Sequence, residues 1–233
     1  MQREERSIES RYSWWVAAMT LVIASLSFGA VTSIPVLLKP LASHWEKGAS
    51  TVALVHTSAM FGAAIGSLVL GRMLDRVGFF RIAILAATAT GLGLLLAASA
   101  RNLLTLHLAY GVLIGGIGQG AFFSPLTAAV SQWFDRHRAL AIAIAASGQS
   151  VGGLALPALM RWGADAIGWR ATIGTYGLVA GVALMACAFA FRRAPPPHVL
   201  PPDLSGPSEA VRSAARGGFL MLGLCMALSN HAS

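Results

Sequence analysis

The sequence predicts an all-α, polytopic membrane protein whose six transmembrane helices form a 3+3 inverted repeat. Three observations carry that prediction. Hydrophobic residues make up 56% of the 233-residue chain and charged residues 11%, whereas a soluble domain carries about 25% charged residues. There is too little polar surface here to clothe a water-soluble globule. The charges also sit in short clusters between six long uncharged runs, and each run can supply the roughly 20 apolar residues that cross a bilayer. Finally, two of the connecting loops share one residue pattern although they must lie on opposite sides of the membrane.

The elements follow in order. Residues 1–13 are a charged N-terminal segment, with Arg3, Arg6 and Arg11 among Glu4, Glu5 and Glu9. It lacks the apolar stretch and cleavage pattern of a signal peptide, so the first span is expected to be retained. The six runs are Trp14–Leu38, Gly48–Gly71, Ile82–Ala100, Asn102–Phe134, Ala139–Met160 and Ala171–Phe191, which together place a membrane domain at 14–191. The fourth run is the longest. Its Gly-rich centre and Pro125 predict one helix with an irregular end on the cytoplasmic side, not two helices. Residues 192–216 contain six prolines and read as a flexible cytoplasmic linker. The last run, Gly217–Ser229, is too short to cross. Residues 217–233 therefore read as the truncated start of a seventh helix.

Placing the N-terminus in the cytoplasm puts 12 arginines in cytoplasmic segments and 5 lysines and arginines outside. That bias is the one that sets membrane topology, and a plasma (inner) membrane location is expected. The net charge of +8 is dispersed among loops and forms no patch for nucleic acid. Cys187 and Cys225 both fall in apolar runs, and the six histidines show no metal-ligand spacing. Neither a metal nor a cofactor is expected. The run Gly115–Gly120 mimics part of a dinucleotide fingerprint, but it lies inside a span with no strand before it.

The repeat is read from Asp75-Arg-Val-Gly78-Phe-Phe-Arg81 and Asp165-Ala-Ile-Gly168-Trp-Arg170. Each has Asp, Gly three residues on, an aromatic, then Arg. Three spans separate them, as an inverted triplet requires.

Polar groups inside a span are costly without partners, so they mark candidate cavity positions. Thr32 and Ser33 precede Pro35 in the first span, His56 lies early in the second, Gln119 and Phe123 lie in the fourth and Gln149 in the fifth. A substrate contact and a packing bond across helices are both open for each of them. Gly62 and Gly66, and Gly148 and Gly152, stand four apart, the spacing that lets helices approach closely.

The stretch Gly71-Arg-Met-Leu-Asp75-Arg76-Val-Gly78-Phe-Phe-Arg81 resembles the loop signature between helices 2 and 3 of the major facilitator superfamily. It departs at Phe80, where a basic residue is expected. A narrower resemblance, to the monocarboxylate transporter and oxalate/formate antiporter branch, rests on several motifs. These are Trp133-Phe-Asp-Arg-His-Arg138-Ala-Leu-Ala, Gly148, Gly152-Gly153, Pro157, Gly168-Trp169-Arg170, and the opening Trp14-Trp15 through Ser27-Phe28-Gly29. Thr32 stands where several members of that branch carry a Lys, and Phe123-Ser124-Pro125 stands where they often have Tyr. Both departures remove a handle for a carboxylate.

The resemblance implies the N-terminal half of a secondary transporter. Such a protein moves a small organic solute, a monocarboxylate or other organic anion, by alternating access and with a coupled proton. It implies a cytoplasmic gate at Gly71, Asp75, Arg76, Gly78 and Arg81. The partners so implied are the solute, the bilayer, and a missing C-terminal half or a second copy. A half-transporter that is inert alone is the alternative. An intramembrane serine protease around Ser147-Gly148 fails, because the sixth span contains no histidine to serve as base.

Overall fold

The computed structural model describes residues 9–45 and 48–193. The expected linker beyond Arg193, the expected seventh helix and the first eight residues lie outside the described residues, as does the side chain of Asp75. Six helices are long and apolar enough to cross a membrane. We label them α1 (Arg11–Val36), α2 (Ala49–Val77), α3 (Phe79–Ala98), α4 (Leu103–Ser131), α5 (Arg138–Ile167) and α6 (Trp169–Ala188).

Local chemistry sets the ends. Helix α1 starts three residues before the uncharged run, because Ser10 and Ser13 form a reciprocal capping box that satisfies orphan backbone N–H groups. Pro35 lies inside its last turn, and the Leu37 N–H still closes onto Ser33 O at 3.0 Å. A short helix, Leu38–Trp45, which the sequence reading left as loop, then runs towards α2. Helix α2 runs past the uncharged stretch, which ends at Gly71, to Val77, where Gly78 caps it. Gly78 (φ 78°, ψ 153°) and Gly168 (φ 82°, ψ 154°) share one left-sided conformation. A Cβ disfavours that region, so glycine is the residue that turns each helix directly into the next.

Helix α4 departs most from regularity. Its centre, Ala109–Gln119, is a π-helix, with Gly120 N–H reaching back five residues to Gly115 O. A break follows at Phe123 (φ −106°, ψ −92°), and Pro125 opens the final segment, Ser124–Ser131. The expected irregularity is thus present, but it reaches into the centre of the span. Glycines at 111, 115, 116, 118 and 120 offer no side chains to hold an α-helical surface, and wider turns are tolerated where neighbours pack on them.

The helices pair as α1 with α5, α2 with α4, and α3 with α6. Exchanging the first triplet for the second maps the first two pairs onto each other and the third onto itself. This is the contact pattern of an inverted repeat. Glycine makes each pairing close. A Cβ on Gly148 would stand 2.5 Å from Leu21 O, and one on Gly152 would overlap Ser25 O. Across the other pair, Cβ atoms on Gly62 and Gly66 would overlap Gly111 O and Gly116 O. At the third, Gly91 and Gly181 pack on each other's Cα. The predicted small-residue spacings are therefore seams.

Two apolar clusters fill the bundle. One, around Ile82, Phe122 and Phe134, lies towards the end that carries Arg11 and Arg193. The other, around Ile34, Tyr110 and Ile173, lies towards the opposite end. Of the described arginines and lysines, eight lie at the Arg193 end and four at the other.

Candidate functional site

A thin polar waist of side-chain hydrogen bonds crosses the bundle, and its two tyrosines belong to the second apolar cluster. Ser27 Oγ on α1 donates to Gln119 Oε1 on α4 at 2.6 Å, both buried. Tyr176 Oη on α6 donates to Leu26 O at 2.6 Å. Nearly two turns further along α1, Ser33 Oγ donates to Ala30 O at 2.6 Å and lies 2.6 Å from Tyr110 Oη, from which it can accept. Thr90 Oγ1 on α3 is the only fully buried side-chain oxygen without a partner among the described residues. It faces the π-helical stretch of α4, where a Cβ on Gly118 would overlap it. In hydrocarbon such pairs act as interhelical glue. Ser33 and Gln119, two sequence candidates for the cavity, are thus held in the α1–α4 seam.

Thr32 and His56 are also engaged locally. Thr32 Oγ1 donates back to Phe28 O at 3.0 Å along its own helix. His56 Nδ1 lies 3.3 Å from Val31 O and braces α2 against α1. The remaining two candidates do come together. Phe123 and Gln149 line one cleft of about 240 Å³ between α1, α4 and α5. Ala24, Ser124, Thr127 and Ala145 line it too. Its α4 wall is the break at Phe123, and Thr127 Oγ1 donates to Ser124 O at 2.8 Å in the first turn after that break. Non-helical backbone at membrane depth is tolerated only where protein buries it or a cavity receives it. The cleft supplies that cavity, together with one amide side chain and two hydroxyls.

Sequence reading did not name Ser124, Thr127, Ser27, Tyr110 or Tyr176 as cavity candidates, although Ser27 and Ser124 stand in the motifs that carry the resemblance. Ser124 and Thr127 could have been found from their position around Pro125. Apart from Tyr12, the chain's tyrosines are Tyr110 and Tyr176, each inside an apolar run, and that was the available signal for the waist. At the α2–α3 turn, Arg76, Gly78 and Arg81 are exposed and Gly71 is half-buried. Among the described residues nothing lies within 4 Å of a Cβ placed on Gly71 or Gly78.

Six paired helices in two inverted triplets, with a broken helix on a polar cleft, define an integral multi-pass membrane protein of transporter architecture. Residues 19–232 match the Major Facilitator Superfamily, and the chain belongs to it. It is 32% identical over 168 residues to mouse (Mus musculus) monocarboxylate transporter 11, covering 72% of this chain and 37% of that protein. It is 29% identical over 226 residues to bovine (Bos taurus) monocarboxylate transporter 13, covering 94% of this chain and 51% of the relative. The MFS-type transporter pynF of Aspergillus niger is 28% identical over 191 residues, 81% of this chain and 44% of its own length. The chain thus spans about half, or less, of the length of these relatives. The family is one of transporters, not enzymes.

Proposed function

We propose that this chain is the N-terminal half of a secondary transporter that carries a small organic solute by alternating access. The solute class is a monocarboxylate or another organic anion, with a coupled proton. The broken α4 at Phe123, facing Gln149 across the cleft, carries this reading. Transporter sites lie where helices are interrupted near the midplane, because freed backbone groups and small polar side chains there can bind solute. The names of the monocarboxylate transporters it resembles support the anion class.

In this reading the N-terminus is cytoplasmic in the plasma (inner) membrane, since the arginine-rich end then faces inward. The loop of Gly71, Asp75, Arg76, Gly78 and Arg81 is the cytoplasmic gate. Helices α2 and α5 present apolar faces, with Phe61 70% and Leu154 83% exposed. A second six-helix half covers these faces, supplied by the same polypeptide, a second copy or a separate chain. A half without such a cover is inert.

The test is uptake of labelled monocarboxylates by the complete transporter in proteoliposomes, with and without a pH gradient. Gln149→Leu is expected to lower uptake about tenfold at equal protein level, the cost of one lost polar contact to a charged solute. Asp75→Asn is expected to insert normally and transport more slowly. Normal uptake by Gln149→Leu would remove the cleft from the solute path, and normal uptake by Asp75→Asn would remove the gate role.

A further inference from the structure

A second cavity, of about 460 Å³, opens at the arginine-rich end, apart from the α1–α4–α5 cleft. Gly78 and Phe80 of the α2–α3 turn, Gln132 and Trp133 at the end of α4, and Arg192 and Arg193 beyond α6 wall it. Four spans, α2, α3, α4 and α6, therefore converge on it just where helices leave the membrane.

The cavity is amphipathic by construction. Its floor is aromatic, with Phe79 and Phe191 rings 4.6 Å apart and nearly edge-on. Two consecutive arginines, Arg192 and Arg193, line it as well. The Arg193 guanidinium sits 4.6 Å over the ring of Tyr12. Tyr12 is itself fixed: its ring lies 5.4 Å from that of Trp133, and its hydroxyl donates to Ala190 O at 2.7 Å. Stacking engages the face of a guanidinium and leaves its N–H edges to bind an anion, in the fork geometry that suits phosphate. Among the described residues neither arginine has an ion-pair partner, and Glu9 at this end is taken by His137. Two arginines lining a cavity with an aromatic floor, neither ion-paired among the described residues, call for an anion with an apolar body.

We propose that this cavity binds a phosphate group, presented either by the headgroup of an anionic phospholipid or by a soluble phosphate ester. The site is independent of the transport reading. In the lipid case the diester sits between Arg192 and Arg193, and the glycerol and upper acyl chain lie on Phe79 and Phe80.

The experiment uses the full chain, purified in neutral detergent and stripped of lipid. Native mass spectrometry follows titration with dioleoylphosphatidylglycerol or dioleoylphosphatidylcholine, and inorganic phosphate is added as competitor. Phosphatidylglycerol is expected to bind about tenfold tighter than phosphatidylcholine, and the Arg192→Gln/Arg193→Gln double variant to lose about that factor. The Arg192→Lys/Arg193→Lys variant, which keeps the charge but loses the fork, is expected to bind more weakly than the parent and more tightly than the double glutamine variant. Arg101→Gln, at the opposite end, is expected to bind like the parent. Displacement of the lipid by millimolar phosphate identifies a soluble phosphate as the occupant, and resistance to it identifies the headgroup. Equal phosphatidylglycerol affinity in the parent and in a double glutamine variant of unchanged elution profile would overturn the proposal. So would a failure of both lipid and phosphate to bind the parent.

Discussion

The α1–α5 seam and the α2–α4 seam are the same contact built twice, yet they have different fates. Each brings backbone to backbone through glycines of an edge helix, Gly148 and Gly152 in one and Gly62 and Gly66 in the other. In the first seam the partner α1 is a regular helix until Pro35. In the second the partner α4 is π-wound at its centre and broken at Phe123. The repeat keeps what close packing demands and relaxes where a helix must open onto the cleft. Departures from the symmetry, more than the symmetry itself, coincide with the proposed site.

The comparison breaks most sharply at the seams. Gly152→Val and Gly62→Val each force a side chain into a carbonyl of the facing helix. Each is expected to cost about 3 kcal/mol or more, at the upper end for overpacked interiors. Thermal unfolding in detergent reads this, and parent-like melting of either variant would deny that seam its close contact. The next contrast separates waist from cleft. Gln119→Leu leaves Ser27 without its acceptor and is expected to cost about 1 kcal/mol of stability. Gln149→Leu is expected to leave stability near the parent's while uptake falls. Reversal of that pattern would exchange the two assignments.

The two glycine turns give a finer contrast. Gly78→Ala and Gly168→Ala place a Cβ in the same disfavoured backbone region, at about 1 kcal/mol each. Matching losses in melting temperature are expected, with a further loss of transport rate for Gly78→Ala alone. Equal transport by the two variants would deny the α2–α3 turn any special part in gating.

The smallest effect lies at the N-terminal segment. Burial opposes ionisation of Glu9, but the Nδ1 and backbone N–H groups of His137, at 2.5 and 2.6 Å, outweigh it and hold the carboxyl below its usual range. A depressed folded value means that the attachment contributes fully above the unfolded carboxyl's titration. The contribution disappears as pH falls through the folded value. Exchange of the His137 backbone amide is therefore expected to quicken only in acid, by an amount matching less than about 1 kcal/mol. Glu9→Gln is expected to abolish that dependence, and a persistent acid response in this variant would place the switch elsewhere.

Much of this was legible in the residues. Uncharged runs located all six spans because a bilayer admits few alternatives to an apolar helix. Asp75 to Gly78 and Asp165 to Gly168 announced the repeat, and the two turns adopt matching dihedral angles. The short helix Leu38–Trp45 escaped notice because Lys39 and Pro40 punctuate it like a loop. Candidate site residues were harder to sort. Ser33, Gln119 and His56 are polar residues in spans, just as Gln149 is, and a single sequence does not say which neighbour each one meets.

Spans, their alternation and the glycine contacts were determined by the sequence alone. They follow from transfer energies and steric rules that act over a few residues or one helix length. Only the tertiary structure decided which polar groups satisfy one another and which face open space. That choice depends on the rotation of each helix against its partners. Here the π-wound stretch of α4 turns Gln119 into the seam with Ser27, and the break after it turns Phe123 out to the cleft beside Gln149.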